Sequence, residues 1–160
     1  TKHLLLSFHG LPERHLTKTD PTQKHCLKSK YCCSTTSEAH ATCYRHQCME
    51  TARLISENVK IPTSVSFQSR LGKLPWLQPY TEYEIQRLAR AGVNNIAVAC
   101  PAFAVDNLET LEEIDIRGRT LFFDNGGKEF TLIPSLNNES HWIAKLADWL
   151  KQPREYFEQL

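Results

Sequence analysis

Residues 4–12 read LLLSFHGLP, and this stretch decides the fold. Positions 4 to 8 form a short apolar run, which is typical of a strand buried inside a sheet. Gly10 then allows a tight turn, and Pro12 fixes the direction in which the chain leaves it. The pattern therefore predicts a buried strand with His9 held rigidly at its carboxyl end.

Three more apolar runs follow along the chain, separated by amphipathic helical patterns. The predicted strands are 4–8, 64–67, 95–99 and 129–133. The first predicted helix has an apolar stripe from Tyr44 to Val59. The other predicted helices are 81–91, 106–116 (from the spacing of Leu108 and Leu111) and 141–150. Strands that alternate with helices form right-handed βαβ units. We therefore predict an α/β fold, a single doubly wound parallel four-stranded sheet with helices on both faces, which carries a cysteine-rich insertion.

Ligands of such sheets bind outside the carboxyl ends of the strands. His9 lies there and could bind a metal or move protons, although a hydrogen bond to its own turn would explain it equally well. Glu109 and Glu113 are four residues apart on one helical face, where a cation or a proton would relieve their repulsion. A capping box with Asp106 is the alternative explanation of Glu109.

Trp76 and Arg70 follow the second predicted strand. A flat aromatic ligand could stack on Trp76, and Arg70 could meet a carboxylate. A tryptophan that only packs its own loop is the alternative.

Composition excludes several classes of protein. With 160 residues, 41% of them hydrophobic, the chain can form one compact domain. Its formal charge of +1 gives no strong field for nucleic acid. No apolar run approaches the roughly 20 residues that span a bilayer, so we expect no transmembrane segment and at most a peripheral membrane contact. Rossmann and P-loop glycine spacings are absent, which disfavours nucleotide binding.

Three blocks together identify a family resemblance. Residues 5–12, residues 67–77 with Phe-Gln-Ser-Arg-Leu-Gly and Pro-Trp-Leu, and residues 100–113 with Cys-Pro-Ala-Phe and Leu-Glu-Thr-Leu-Glu-Glu resemble the ferrochelatases, in this order. The resemblance implies insertion of ferrous iron into a porphyrin, protoporphyrin or coproporphyrin, in heme biosynthesis. It further implies that residues 1–160 are the C-terminal lobe of a two-lobe enzyme, with the N-terminal lobe as partner. The isolated chain is then expected to be inactive.

The same resemblance assigns roles to individual residues. It implies that His9 and Glu109 hold the incoming ferrous ion or accept pyrrole protons, and that Glu113 extends an acidic path to them. Some family members have histidine where Asn107 stands. The residues implied to line the porphyrin pocket are Trp76, Ser7 and Phe103.

Cysteine usage points to a reduced compartment. Cys100 stands alone in an apolar stretch and is predicted to be a core residue, whereas the other five lie close together: Cys26, Cys32, Cys33, Cys43 and Cys48. Without a visible secretory signal, free thiols in the cytoplasm are expected in place of disulfides. Lys24, Lys28 and Lys30 would offset the charge of thiolates.

The insertion, residues 21–48, resembles that of a bacterial ferrochelatase class with a [2Fe-2S] cluster. The ligands chosen are Cys26, Cys33, Cys43 and Cys48, with Cys32 as the alternative to Cys33. Cys43 and Cys48 would diverge on one regular helix, so either the helix begins near Tyr44 and both can bind, or only one of them is a ligand. A four-thiolate zinc site and inert core thiols remain open alternatives.

Two other functions fit the same residues. A related chelatase could insert another metal into a different tetrapyrrole, because a His and Glu pair does not itself select iron. A zinc- or cluster-binding interaction domain would use only the cysteines and leave His9 and Glu109 structural.

Overall fold

A parallel sheet of four strands forms the centre of the protein in a computed structural model, which describes residues 2–152. The strands are β1 (Lys2–His9), β2 (Thr63–Gln68), β3 (Asn95–Ala99) and β4 (Glu129–Leu132), in the spatial order β2-β1-β3-β4. All three neighbouring pairs are parallel. The four predicted strands and the α/β class are therefore confirmed.

Helices connect the strands and cover the sheet. They are α1 (Glu13–Thr19), α2 (Tyr44–Val59), α3 (Thr81–Arg90), α4 (Arg119–Asp124) and α5 (Ser140–Leu150), with a short 3₁₀ helix at Glu38–Ala41 and a π-helix at Glu109–Gly118. No helix in this part of the chain is long and apolar enough to cross a membrane. Sequence analysis did not identify α1, whose only buried residue is Leu16, so that no apolar periodicity marks it.

The predicted helix at 106–116 differs in three ways. It begins at Glu109, has π geometry for ten residues, and continues directly into α4. Its buried residues are Thr110, Ile114 and Gly118, whereas Leu108 and Leu111 are 77% and 48% exposed. The two leucines whose spacing predicts the helix therefore do not belong to its buried face.

Two separate cores lie on the two faces of the sheet, and β1 contributes to both. Leu4, Leu6 and Phe8 pack on one side with α1, α2 and the cysteine segment. Leu5 packs on the other side with α3, the π-helix and α4. This alternation follows from the period of two in a strand. It gives the doubly wound arrangement that the sequence predicts.

The segment between α1 and α2 begins and ends at neighbouring points in the structure. The Thr42 hydroxyl donates a hydrogen bond to the Thr19 carbonyl over 3.1 Å, so the start and the end of residues 20–41 are adjacent. Cys43 then occupies the position before the first residue of α2.

Candidate functional site

A cavity of about 450 Å³ opens at the carboxyl ends of β1 and β2. His9 and Gln68 are register partners at these strand ends, whereas β3 ends opposite Leu6. The residues that line the cavity are His9, Phe67, Gln68, Ser69, Arg70, Leu71, Trp76, Tyr80, Thr81, Glu82, Glu109, Glu113 and Arg117. Four predicted site residues, namely His9, Glu109, Glu113 and Trp76, thus meet at one edge of the sheet.

The His9 ring is fixed by its own turn. Its Nδ1 lies 2.6 Å from the Gly10 carbonyl oxygen, which can only accept, so Nδ1 is the donor and Nε2 is the nitrogen that has a free lone pair in the neutral ring. Within residues 2–152 no hydrogen bond engages Nε2. The main-chain carbonyl of His9 accepts a hydrogen bond from the Tyr44 hydroxyl at 2.8 Å. The histidine is therefore oriented as a base or a metal ligand.

Position 10 has no room for a side chain. A Cβ there would lie 2.8 Å from the Gln68 carbonyl oxygen and 3.2 Å from the Trp76 ring. Glycine thus lets the turn pass closely beneath Trp76, whose ring centre is 6.5 Å from that of His9. The Trp76 indole nitrogen is buried without a hydrogen-bond partner in the part of the chain described.

Glu109 and Glu113 occupy the π-helix, a geometry that is rare and frequent at functional sites. The Glu113 carboxylate accepts hydrogen bonds from the Ser69 main-chain N–H at 2.8 Å and from its hydroxyl at 3.0 Å. Ser69 takes a left-handed conformation, with φ at 66°, which aims both donors at Glu113. Within residues 2–152, the Glu109 carboxylate has no hydrogen-bond partner.

The capping box expected from Asp106 is not formed. Asn107 Oδ1 instead accepts from the main-chain N–H groups of Glu109 and Thr110, at 3.0 and 3.2 Å. Asp106 accepts from the Thr110 hydroxyl and from the Ser135 N–H. A helix cap therefore does not account for the Glu109 side chain.

A buried polar network, which sequence analysis did not identify, supports the cavity from below. Ser7 is fully buried, donates to Gln68 Oε1 at 2.7 Å, and shares a hydrogen bond with Thr81 at 2.8 Å. Gln68 Nε2 donates to the Glu109 carbonyl at 2.8 Å, and the Cys100 thiol, also buried as predicted, lies 3.4 Å from Gln68 Oε1. The sequence feature that could have predicted this network is the presence of polar residues inside apolar strands. Ser7 is not among the residues that line the cavity.

Phe103 is near His9 but is not among the residues that line the first cavity. Its ring centre is 5.9 Å from that of His9, and the side chain lines a second, apolar cavity of about 500 Å³ beyond β3 and β4. Trp142 and Trp149 line that second cavity and contact each other edge to face.

All five cysteines of the insertion are free and lie close together. Cys33 is partly buried, and the fully buried ones are Cys26, Cys32, Cys43 and Cys48. The Cys26 and Cys43 thiols are neighbours that influence each other's ionisation. Because α2 begins at Tyr44, the condition for Cys43 and Cys48 to serve one site is met.

Burial dominates the acidity of two of the thiols. Burial, followed by the Cys43 thiol, raises the pKa of Cys26 to about 12, and burial raises the pKa of Cys48 to about 12. No three His, Cys, Asp or Glu side chains within residues 2–152 have the spacing of a metal site. The donor set suits a thiophilic metal, which would displace the thiol protons on binding.

Three histidines that sequence analysis did not identify form hydrogen bonds to the main chain at Cys32 and Cys33. His25 and His40 both donate to the Cys32 carbonyl, at 2.7 and 2.9 Å, and His46 donates to the Cys33 carbonyl at 2.9 Å. The rings of His40 and His46 stack with 3.6 Å between their centres.

Asp20 organises the start of the insertion. Its carboxylate accepts hydrogen bonds from the main-chain N–H groups of Thr22, His25 and Cys26 and from the Thr22 hydroxyl, at 2.7 to 2.9 Å. These donors outweigh the desolvation that would raise the pKa of Asp20, and they hold that pKa well below its usual range.

Asp20→Asn is expected to loosen the insertion, because an amide nitrogen would face main-chain donors and leave them unsatisfied. Hydrogen exchange at the amides of His25 and Cys26 should become faster than in wild type. The pKa of Asp20 is lower in the folded state than its unfolded value of about 4. Its carboxylate therefore stabilises the insertion fully above about pH 4, and this stabilisation is lost as the pH falls further. The ratio of the exchange rates in Asp20→Asn and in wild type should therefore be the same at pH 5 and at pH 8. Asp124→Asn, at an exposed position, is the control, and equal exchange in wild type and Asp20→Asn would contradict the prediction.

Comparisons with known proteins agree in one family. A family model described as Ferrochelatase matches residues 1–153. The chain is 55% identical over 149 residues to the ferrochelatase of Pseudomonas fluorescens strain Pf0-1, which covers 91% of this chain and 44% of that protein. It is 53% identical over 148 residues to the ferrochelatase of Ectopseudomonas mendocina, covering 90% and 43%. The chain thus spans less than half the length of these curated relatives.

Proposed function

Because the chain belongs to the ferrochelatase family, we propose that the full-length protein inserts ferrous iron into a porphyrin and that this chain forms one wall of the cleft. The observation that carries the proposal is the cavity where a free imidazole nitrogen of His9 meets the carboxylates of Glu109 and Glu113. Bases and ligands of this kind are what porphyrin metallation requires.

Metallation exchanges two pyrrole protons for one ferrous ion, so the site must accept two protons as the ion enters. His9 Nε2 can take one, since Nδ1 is committed to Gly10. Glu109, whose carboxylate has no hydrogen-bond partner in residues 2–152, can take the second or hold the ion. Glu113 offers the next carboxylate towards Ser69. Imidazole and carboxylate hold iron less tightly than thiolates do, which permits its transfer to the porphyrin.

Aromatic and basic side chains give the cavity the character of a macrocycle pocket. Trp76 and Phe103 flank His9, with ring centres 6.5 and 5.9 Å from its own, and present flat apolar surface. Arg70 and Arg117 line the same cavity and suit the carboxylates of a porphyrin. Ser7 supports this pocket from beneath, through its hydrogen bonds to Gln68 and Thr81.

An N-terminal lobe is the proposed partner that completes the cleft. Apolar side chains that line the two cavities are left uncovered, among them Leu71 in the first and Leu136 in the second, which are 80% and 49% exposed. Helix α5 buries none of its residues completely, although its sequence has an apolar stripe. The remaining length of the relatives is more than enough for such a lobe.

The isolated chain is expected to metallate porphyrin at least about a hundredfold more slowly than the full-length protein, because half of the cleft is absent. The assay follows the change in the porphyrin absorption spectrum under anaerobic conditions with ferrous iron. Parallel reactions with cobalt test the alternative of a chelatase for another metal. Equal turnover by the isolated chain would contradict the two-lobe proposal, and turnover with cobalt alone would contradict iron as the substrate.

We also propose that the insertion holds a [2Fe-2S] cluster through Cys26, Cys33, Cys43 and Cys48. Five free thiols within one small segment, beside lysines and an arginine, support a thiolate-bound inorganic centre. Such a cluster would supply one-electron chemistry. All six free cysteines also favour a reducing compartment, and we propose the cytoplasm. A four-thiolate zinc site is the competing outcome.

A further inference from the structure

Arg45 contacts the sulfur atoms of the insertion directly. Its Nη1 lies 3.0 Å from Cys33 Sγ and 3.7 Å from Cys32 Sγ, with the guanidinium as donor. Arg45 is in the first turn of α2, two residues after Cys43. The same helix turn therefore carries both a proposed ligand and a positive charge aimed at another.

The contact lies where the insertion meets solvent. Cys33 is the one cysteine of the five that is not fully buried, and it lines an open cavity of about 490 Å³. Arg45 and Arg53 both line this cavity. Arg53 is neutralised by Glu50 and Glu57, each at 2.5 Å, whereas Arg45 points at sulfur. Arg45 and Arg53 thus lie on the same helix, but of the two it is Arg45 that contacts a thiol.

We infer that Arg45 is a positioning residue that raises the reduction potential of the insertion's cluster through its hydrogen bond to Cys33; this rests on the proposed [2Fe-2S] function. Reduction adds one electron, and hence one negative charge, to the cluster. A hydrogen-bonded cation at a ligand sulfur stabilises the reduced form more than the oxidised form. The shorter distance to Cys33 also favours Cys33 over Cys32 as the ligand.

The test is a spectroelectrochemical titration of the full-length protein purified without oxygen, with dithionite as the one-electron reductant. Arg45→Gln should shift the midpoint to a more negative potential than wild type, and Arg45→Lys should shift it less. Arg53→Gln removes the same charge from the same helix without touching sulfur, and should leave the midpoint unchanged. Iron and sulfide per chain are measured for every variant.

Each outcome decides a different point. Equal midpoints in wild type, Arg45→Gln and Arg53→Gln would overturn the inference while leaving the cluster in place. Loss of the cluster from both Arg45 variants would also overturn it, because Arg45 would then be needed for folding of the site. A wild-type protein without acid-labile sulfide would remove the proposed cluster itself, and the inference with it.

Discussion

Replacement of His9 by alanine or of Glu109 by glutamine in the full-length protein is expected to slow porphyrin metallation by at least about a hundredfold. His9→Ala removes the imidazole whose Nε2 is free to accept a proton. Glu109→Gln keeps the size of the side chain but removes the charge that would hold iron or take up the second proton. The rate is measured from the porphyrin spectrum at saturating ferrous iron, with soluble yield and circular dichroism as checks of the fold.

Two matched controls separate chemistry from structure. His15→Ala removes an exposed histidine of α1, and Asp115→Asn changes a carboxylate of the same π-helix that pairs with Arg119, where neither residue lines the cavity. Both controls should metallate at nearly the wild-type rate. Near-normal activity of His9→Ala or Glu109→Gln would return these residues to a structural role.

Single serine replacements of Cys26, Cys33, Cys43 and Cys48 are expected to bleach the visible spectrum of the anaerobically purified protein. The wild-type protein should be reddish-brown and hold two irons and two sulfides per chain, as a [2Fe-2S] cluster requires. Loss of one thiolate removes one of its four ligands. Absorption, electron paramagnetic resonance and metal analysis are measured together.

The controls lie in the same chain. Cys100→Ser should keep the spectrum, because Cys100 is buried beside Gln68 and apart from the insertion. Cys32→Ser should also keep it, whereas bleaching by Cys32→Ser and not by Cys33→Ser would exchange the two in the ligand set. A colourless wild-type protein with stoichiometric zinc would contradict the iron-sulfur proposal and leave the chelatase proposal untouched.

The strands were predictable because β1 and β3 contain almost continuous apolar runs, as in sheets covered on both faces, and β2 and β4 carry apolar residues at alternate positions. Helix α1 was not predictable, since a single buried leucine, Leu16, gives no period. The π-helix was predicted as an ordinary helix over 106–116, from leucines that turn out not to be buried. Its buried residues Thr110, Ile114 and Gly118 recur every four positions, and two of them are not apolar side chains that a search for periodicity would select.

The candidate site was predictable where it depended on strand ends and less so where it depended on contacts between distant residues. His9 follows β1 directly, and Glu109 and Glu113 follow from their spacing together with the family resemblance. The bond from Gln68 to the Glu109 carbonyl joins residues 41 positions apart. The histidines around Cys32 and Cys33 likewise have a role only once the insertion has folded.

The adjacent ends of residues 20–41 have an evolutionary consequence. Since Thr19 and Thr42 already touch, removal of the intervening residues would need only a short turn between α1 and α2. The segment packs on the core opposite the π-helix, so such a loss would leave the layer that carries Glu109 and Glu113 intact. Residues 20–41 are therefore a detour of the chain whose gain or loss does not require any change on the face of the sheet that carries Glu109 and Glu113.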